Sequence, residues 1–145
     1  MANYTINEFH GAIDNWIKAA GKGLEDVVRF TSEDILKDLV NGSPVDTGRF
    51  KGNWQITFNQ APLYALNRYD REGGSTIAAG NAEIARFGKG VGITTIWFSN
   101  MLIYANALEY GHSQQAPNGV MGIVALRLGV YVTNAIKKSR AENAL

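Results

Sequence analysis

Few residues in this chain could carry covalent or acid–base chemistry. There is no cysteine and there are two histidines, His10 and His112. That excludes disulfides, thiolate metal sites and a cysteine nucleophile, and leaves too few imidazoles for a histidine-rich zinc site. Glu109 and His112 stand three residues apart where a helical pattern ends, and a carboxylate and an imidazole so placed could pass a proton. No nucleophile accompanies them, and contacts at this spacing are ordinary on helix surfaces. A small hydrolase built on the pair is therefore the weakest functional reading. His10, beside Phe9 on a helical pattern, is expected at solvent or at an interface. Gly88-Lys89-Gly90-Val91-Gly92 has the glycine content of a phosphate loop but lacks GxxxxGK[ST] and leads into a strand, so it reads as a connector. GxSxG, HExxH, CxxC and DxDxDG do not occur. No catalytic residue, metal ligand or cofactor is expected.

Pro44-Val45-Asp46-Thr47-Gly48-Arg49 is more informative. Asp46 can accept hydrogen bonds from backbone N–H groups just ahead of it, and Thr47 can add a weaker one. Gly48 can take a positive φ at no steric cost. These residues predict a self-satisfied corner in which Asp46 bonds N–H groups near Gly48. A corner does not by itself require Arg49 and Lys51, which place two cations on a projecting loop.

The elements that must position these residues follow from periodicity. The first 41 residues carry apolar side chains at Ile6, Phe9, Ile13, Trp16, Ile17, Ala20, Leu24, Val27, Val28, Ile35 and Leu39, with steps of three and four. This predicts one long helix or two consecutive ones, begun by Thr5 or Asn7 and weakened at Gly21–Gly23 by ~1 kcal/mol per glycine. Unbroken, it would span about 50 Å, longer than so small a domain can cover. Gly42 and Pro44 stop it. Residues 53–58 and 93–99 alternate like strands. Residues 75–87 have helical spacing, with Ser75 or Thr76 as cap, and residues 103–110 form a short helix closed by Gly111. Pro117 opens a last helix to about Arg140, with Val120, Val124, Leu128, Val132 and Ile136 on its inner face. Trp16, Trp54, Trp97, Phe58, Phe98 and Tyr104 all fall at core spacing. The expected fold is α+β over a single domain, 1–145: a long N-terminal helix, straight or bent, a small antiparallel sheet, short helices and a C-terminal helix packed on it.

Composition agrees with one ordinary domain. The 145 residues are 46% hydrophobic and 19% charged, with net charge +1. Residues 1–41 are net −3 and the remainder net +4, a polarity that suits head-to-tail contact between copies. No apolar run reaches the ~18 residues of a membrane span, and MANYTINEFH does not read as a signal peptide. No membrane partner is expected.

Two blocks resemble one family. PVDTGRFKGNW (44–54), with Pro44, Asp46, Thr47, Gly48, Arg49 and Trp54, is similar to the segment opening the first strand of tail-completion, or neck, proteins of long-tailed bacteriophages, a group to which minor tail protein Z is also similar. The second block runs from Ser99-Asn100 through Tyr104-Ala105 and Leu108-Glu109-Tyr110-Gly111-His112-Ser113 to Gln115-Ala116-Pro117 and Gly119. The blocks stand in the family's order and cover about a third of the chain; residues 63–92 lie where such proteins vary. The resemblance implies a non-enzymatic virion protein, assembled in the host cytoplasm and resident at the neck. It implies a homo-oligomeric ring, most naturally of six copies, touching a head-side connector protein and a tail terminator or tube protein. DNA would pass through the channel without specific binding. Because the family blocks put both residues near strand ends, Arg49 is expected to pair with Glu109. The alternative is a nucleic-acid-binding module presenting Arg49, Lys51, Arg68, Arg71, Arg86 and Lys89 to phosphates.

Overall fold

The apolar spacing of the first 41 residues is realised as helix α1, Ile6–Asn41, without interruption. The structure, a computed structural model, describes residues 6–88 and 92–143, and the side chains among them except those of 6–13, 16 and 17. The expected cap at Thr5, the side chains of His10 and Trp16, and Lys89 to Val91 therefore lie outside the described residues. Of the two alternatives at Gly21–Gly23, one helix or two, the structure has one. Helix α5, Leu128–Asn143, runs against α1, and the Ser139 hydroxyl donates to the Gly23 carbonyl at 2.8 Å. Gly23 is buried at this contact, and its backbone carbonyl is the acceptor.

α1 stops where expected. Gly42 N–H donates to Asp38 O at 2.9 Å, and the Ser43 hydroxyl donates to Leu39 O at 2.6 Å. Ser43 Oγ also accepts from Trp54 Nε1 at 2.7 Å, tying the helix end to strand β1, Trp54–Phe58. β1 pairs antiparallel with β2, Ile96–Asn100, in a two-stranded sheet with Ile56 opposite Phe98. Even-numbered Trp54 and Ile56 turn into the core. Trp97, opposite Thr57, falls on the other phase of the pleat and is 41% exposed, which corrects its expected core position. Tyr104 is likewise exposed, lying at the turn into α3 (Ala105–Glu109).

The core gathers Leu36, Leu39 and Val40 of α1 with Phe50, Trp54, Ile56, Ile84 and Val120. Helix α2 is Gly74–Ile84. Its cap is neither Ser75 nor Thr76: the Asp70 carboxylate accepts from Gly73 N at 2.9 Å, and from Thr76 N and Thr76 Oγ1 at 2.8 Å each. The expected helix from Pro117 to Arg140 is two helices, α4 (Met121–Leu126) and α5, separated at Arg127 with φ −95° and ψ 4°. That interruption rephases the inner face, so Tyr131, Ala135 and Ser139 are buried while Leu128 and Ile136 are exposed. Arg127 itself reaches Asp38 at 3.1 Å, and Tyr131 donates to the same carboxylate. Burial and that carboxylate push the Tyr131 phenol up to about 12. The described architecture is α+β. Among the described residues, no helix is long and apolar enough to cross a membrane.

Candidate functional site

The corner after α1 closes by different bonds from those expected. Gly48 has φ +87° and its carbonyl accepts from Gly52 N and Asp70 N, both at 2.9 Å. A Cβ there would stand 2.6 Å from Arg71 N and 2.8 Å from the Asp70 carbonyl carbon. Glycine is thus required both by conformation and by the backbone running behind it. Thr47 Oγ1 accepts from Arg49 N at 3.3 Å, a weak bond. The Asp46 carboxylate is exposed and accepts no hydrogen bond from any described residue, which corrects the Asx-turn expectation; only its main-chain carbonyl is engaged, by the Arg71 guanidinium. The distant segment 68–71 holds the corner instead by donating to its carbonyls, Asp70 N–H to Gly48 O and the Arg71 guanidinium to Asp46 O.

The second block is built around Glu109. Its carboxylate leaves the end of α3 and caps α4, accepting from Val120 N at 2.9 Å, Met121 N at 2.7 Å and Gly122 N at 2.9 Å. Burial pushes this carboxyl up, but the three N–H groups outweigh it and hold it below its usual value. Pro117 is exposed and lies four residues before α4, so it does not open that helix. Gly111, φ +87°, crosses close to it: a Cβ would be 2.5 Å from Pro117 O. Tyr110 projects outward, and Leu108 and Ala105 pack against the core.

The two blocks meet. The Gln115 side-chain amide clasps the backbone of Val45, accepting from its N–H at 2.8 Å and donating to its carbonyl at 2.9 Å. Asn100 Nδ2 adds a bond to Phe50 O at 2.9 Å. Between them lies a cavity of about 290 Å³, walled by Pro44 to Phe50 on one side and by Tyr104, Leu108, His112, Ser113 and Gln115 on the other. No protein-family model, curated protein or solved structure matches this chain.

Two expected pairings are absent. Arg49 does not reach Glu109, whose oxygens are turned toward α4; the guanidinium lies 6.0 Å from the Tyr69 ring centre. Its Nε is buried with no hydrogen-bond partner. His112 lines the cavity but makes no hydrogen bond to Glu109. The cations of the alternative reading are also largely engaged. Lys51 is buried, and Arg68 bonds the carbonyls of Gly52 and Trp54 at 2.7 and 3.2 Å. Arg71 bonds the Asp46 carbonyl, and Arg86 pairs with Glu83 at 2.9 Å. Among the described residues, no three of His, Cys, Asp and Glu group as a metal site.

Asp70, Gln115 and Asn53 organise the site without being singled out by their spacing. Asn53 is fully buried, donating to Arg49 O and accepting from Leu66 N, both at 2.6 Å. Its position directly before Trp54 was the one local signal, since a polar residue opening a buried strand needs partners.

Proposed function

We propose that this chain is a structural protein of a long-tailed bacteriophage virion, acting as a ring of identical copies, six by resemblance, where the tail meets the head-side connector. The reading begins in the likeness of residues 44–54 and 99–119 to tail-completion proteins. The observation that carries it is the clasp of Gln115 on Val45, residues 70 apart in the sequence: the two blocks are one folded unit around one cavity, as parts of a single functional surface should be. The chemistry-bearing groups support a mechanical role. Glu109 is spent on capping α4, and Arg68 and Arg71 behind the corner are spent on carbonyls. Such a unit can hold a rigid loop edge against a neighbour while presenting little free positive charge to DNA sliding past.

The test is deletion of the coding sequence from an assembling phage, followed by particle counts in the electron microscope. Filled heads and finished-looking tails that stay apart are expected. Normal yields of joined, infectious particles would end this reading, as would turnover of a substrate that depends on Glu109 or His112.

A further inference from the structure

β1 has an edge that the fold leaves open. The Asn59 N–H donates to Thr95 O at 2.8 Å, and Thr57 stands opposite Trp97. In an antiparallel pair the residues that exchange bonds recur at every second position. Gln55 and Thr57 therefore bond toward β2, while the main-chain groups of Trp54, Ile56 and Phe58 face away from it. Two further bonds agree with this phase: Trp54 O accepts from the Arg68 guanidinium at 3.2 Å, and Phe58 O from Gln60 N at 2.8 Å. Between them, the N–H and C=O of Ile56 and the N–H of Phe58 have no partner among the described residues. Ile56 is 6% exposed, and main-chain groups at such depth are nearly always paired.

A groove of about 560 Å³ runs along this edge. Every residue from Trp54 to Asn59 lines it. Both phases of the pleat are present, which places the groove beside the strand and not on a face of the sheet. Ala79, Gly80 and Glu83 of α2 line it as well. The chain's own returning segment does not pair with the edge. Leu66 N–H donates to Asn53 Oδ1 at 2.6 Å, and Gln55 Nε2 donates to Tyr64 O at 2.8 Å. That segment is thus held off by side chains, at the Trp54 end of the strand.

We propose that this groove takes an extended segment of a partner protein, which adds to β1 as a third strand. The proposal is independent of the head–tail reading. Ile56 and Phe58 offer a donor, an acceptor and a donor at strand spacing, and one extended backbone answers all three. A helix cannot, because its own N–H and C=O groups are bonded internally. A nucleic acid would find Arg68 engaged with carbonyls and Arg86 paired with Glu83. A second copy has no described strand that could enter. Its β1 edge lies in this same groove, and its β2 edge lies in another, between Ile35 and Leu39 of α1 and Met121 and Ala125 of α4. The occupant is therefore a segment that takes up its extended form on docking. It would also carry the sheet past two strands, the size at which a sheet is marginal.

The probe is a displayed library of random short peptides, selected on the full chain and on its Ala79→Trp variant. Ala79 is exposed on α2 and lines the groove, so the larger side chain obstructs the groove without entering the core. Peptides enriched on the parent should bind Ala79→Trp about tenfold or more weakly. On the parent they should shift the amide signals of Ile56 and Phe58 and slow the exchange of both with water. N-methylation at alternate positions of a selected peptide should weaken binding about tenfold or more in one phase and little in the other, since only one phase of N–H groups faces β1. That scan needs no variant of the protein, so it decides the matter even if Ala79→Trp does not fold. Absence of enrichment, binding indifferent to N-methylation in both phases, or amide shifts confined to residues outside the groove would each overturn the proposal. So would self-association of the parent that Ala79→Trp abolishes, because the occupant would then be a second copy.

Discussion

The corner at Pro44–Arg49 and the turn at Glu109–Gly122 are both loops containing an acid, and the two acids behave oppositely. Asp46 sits in a local pattern made for capping its own turn, yet its carboxylate bonds no described residue. Glu109 has no capping signature around it, yet it gathers the first N–H groups of a helix eleven to thirteen residues on. Asp70 resembles Glu109: placed at the back of the corner, it caps α2. A carboxylate's role here depends on which unsatisfied helix N–H groups the fold brings to it. Helix starts leave several such donors, and an ionised acceptor satisfies them more strongly than a neutral one.

The strongest way to break the comparison is at the corner's backbone. Gly48→Val combines a positive φ with contact under 3 Å from residues 70 and 71, and should cost about 3–5 kcal/mol from strain and overpacking together. Urea denaturation measures it; a loss below ~1 kcal/mol would mean that the loop 68–71 yields easily. Glu109→Ala should cost about 1.5–3 kcal/mol, since it strips charge-assisted bonds from partly buried N–H groups, and amide exchange should accelerate at Val120–Gly122. An unchanged exchange rate would contradict the cap.

Acid should act on the Glu109 side of the comparison. Glu109 and Asp70 are held below their usual carboxyl range, as is Asp26, where burial is outweighed by bonds from Asn143, Lys22 and Arg29. A depressed native pKa means that the stabilisation is fully present above the unfolded value and lost as pH falls through the native one. Melting temperature should therefore be flat above about pH 5 and drop steeply toward about pH 2. Glu109→Gln should flatten part of that slope. Gln115→Ala should cost about 1 kcal/mol for two exposed bonds, and should loosen the two blocks by amide exchange at Val45. The smallest effect belongs to Asp46→Ala, within about 0.5 kcal/mol of the parent by urea midpoint. A loss above 1 kcal/mol would restore the local-turn explanation.

What the sequence by itself determined is the part set by nearest neighbours along the chain. The period of α1, its stop at Gly42, the two alternating strands and the positive φ of Gly48 all depend on residues within a few positions of one another. The tertiary structure decided where long-range packing outweighed local preference. It carried α1 unbroken past Gly23, where α5 packs along it and the Ser139 hydroxyl bonds the Gly23 carbonyl. It divided the last helix at Arg127, where that residue and Tyr131 converge on Asp38, and so exchanged the inner face for Tyr131, Ala135 and Ser139. It also took Glu109 from Arg49 and His112 and gave it to α4, and joined residues 45 and 115 through a glutamine that no spacing marks. The physical reason is common to these cases: a polar group pairs with whichever complementary group the fold delivers within about 3 Å, and that distance is not a property of any short stretch of sequence.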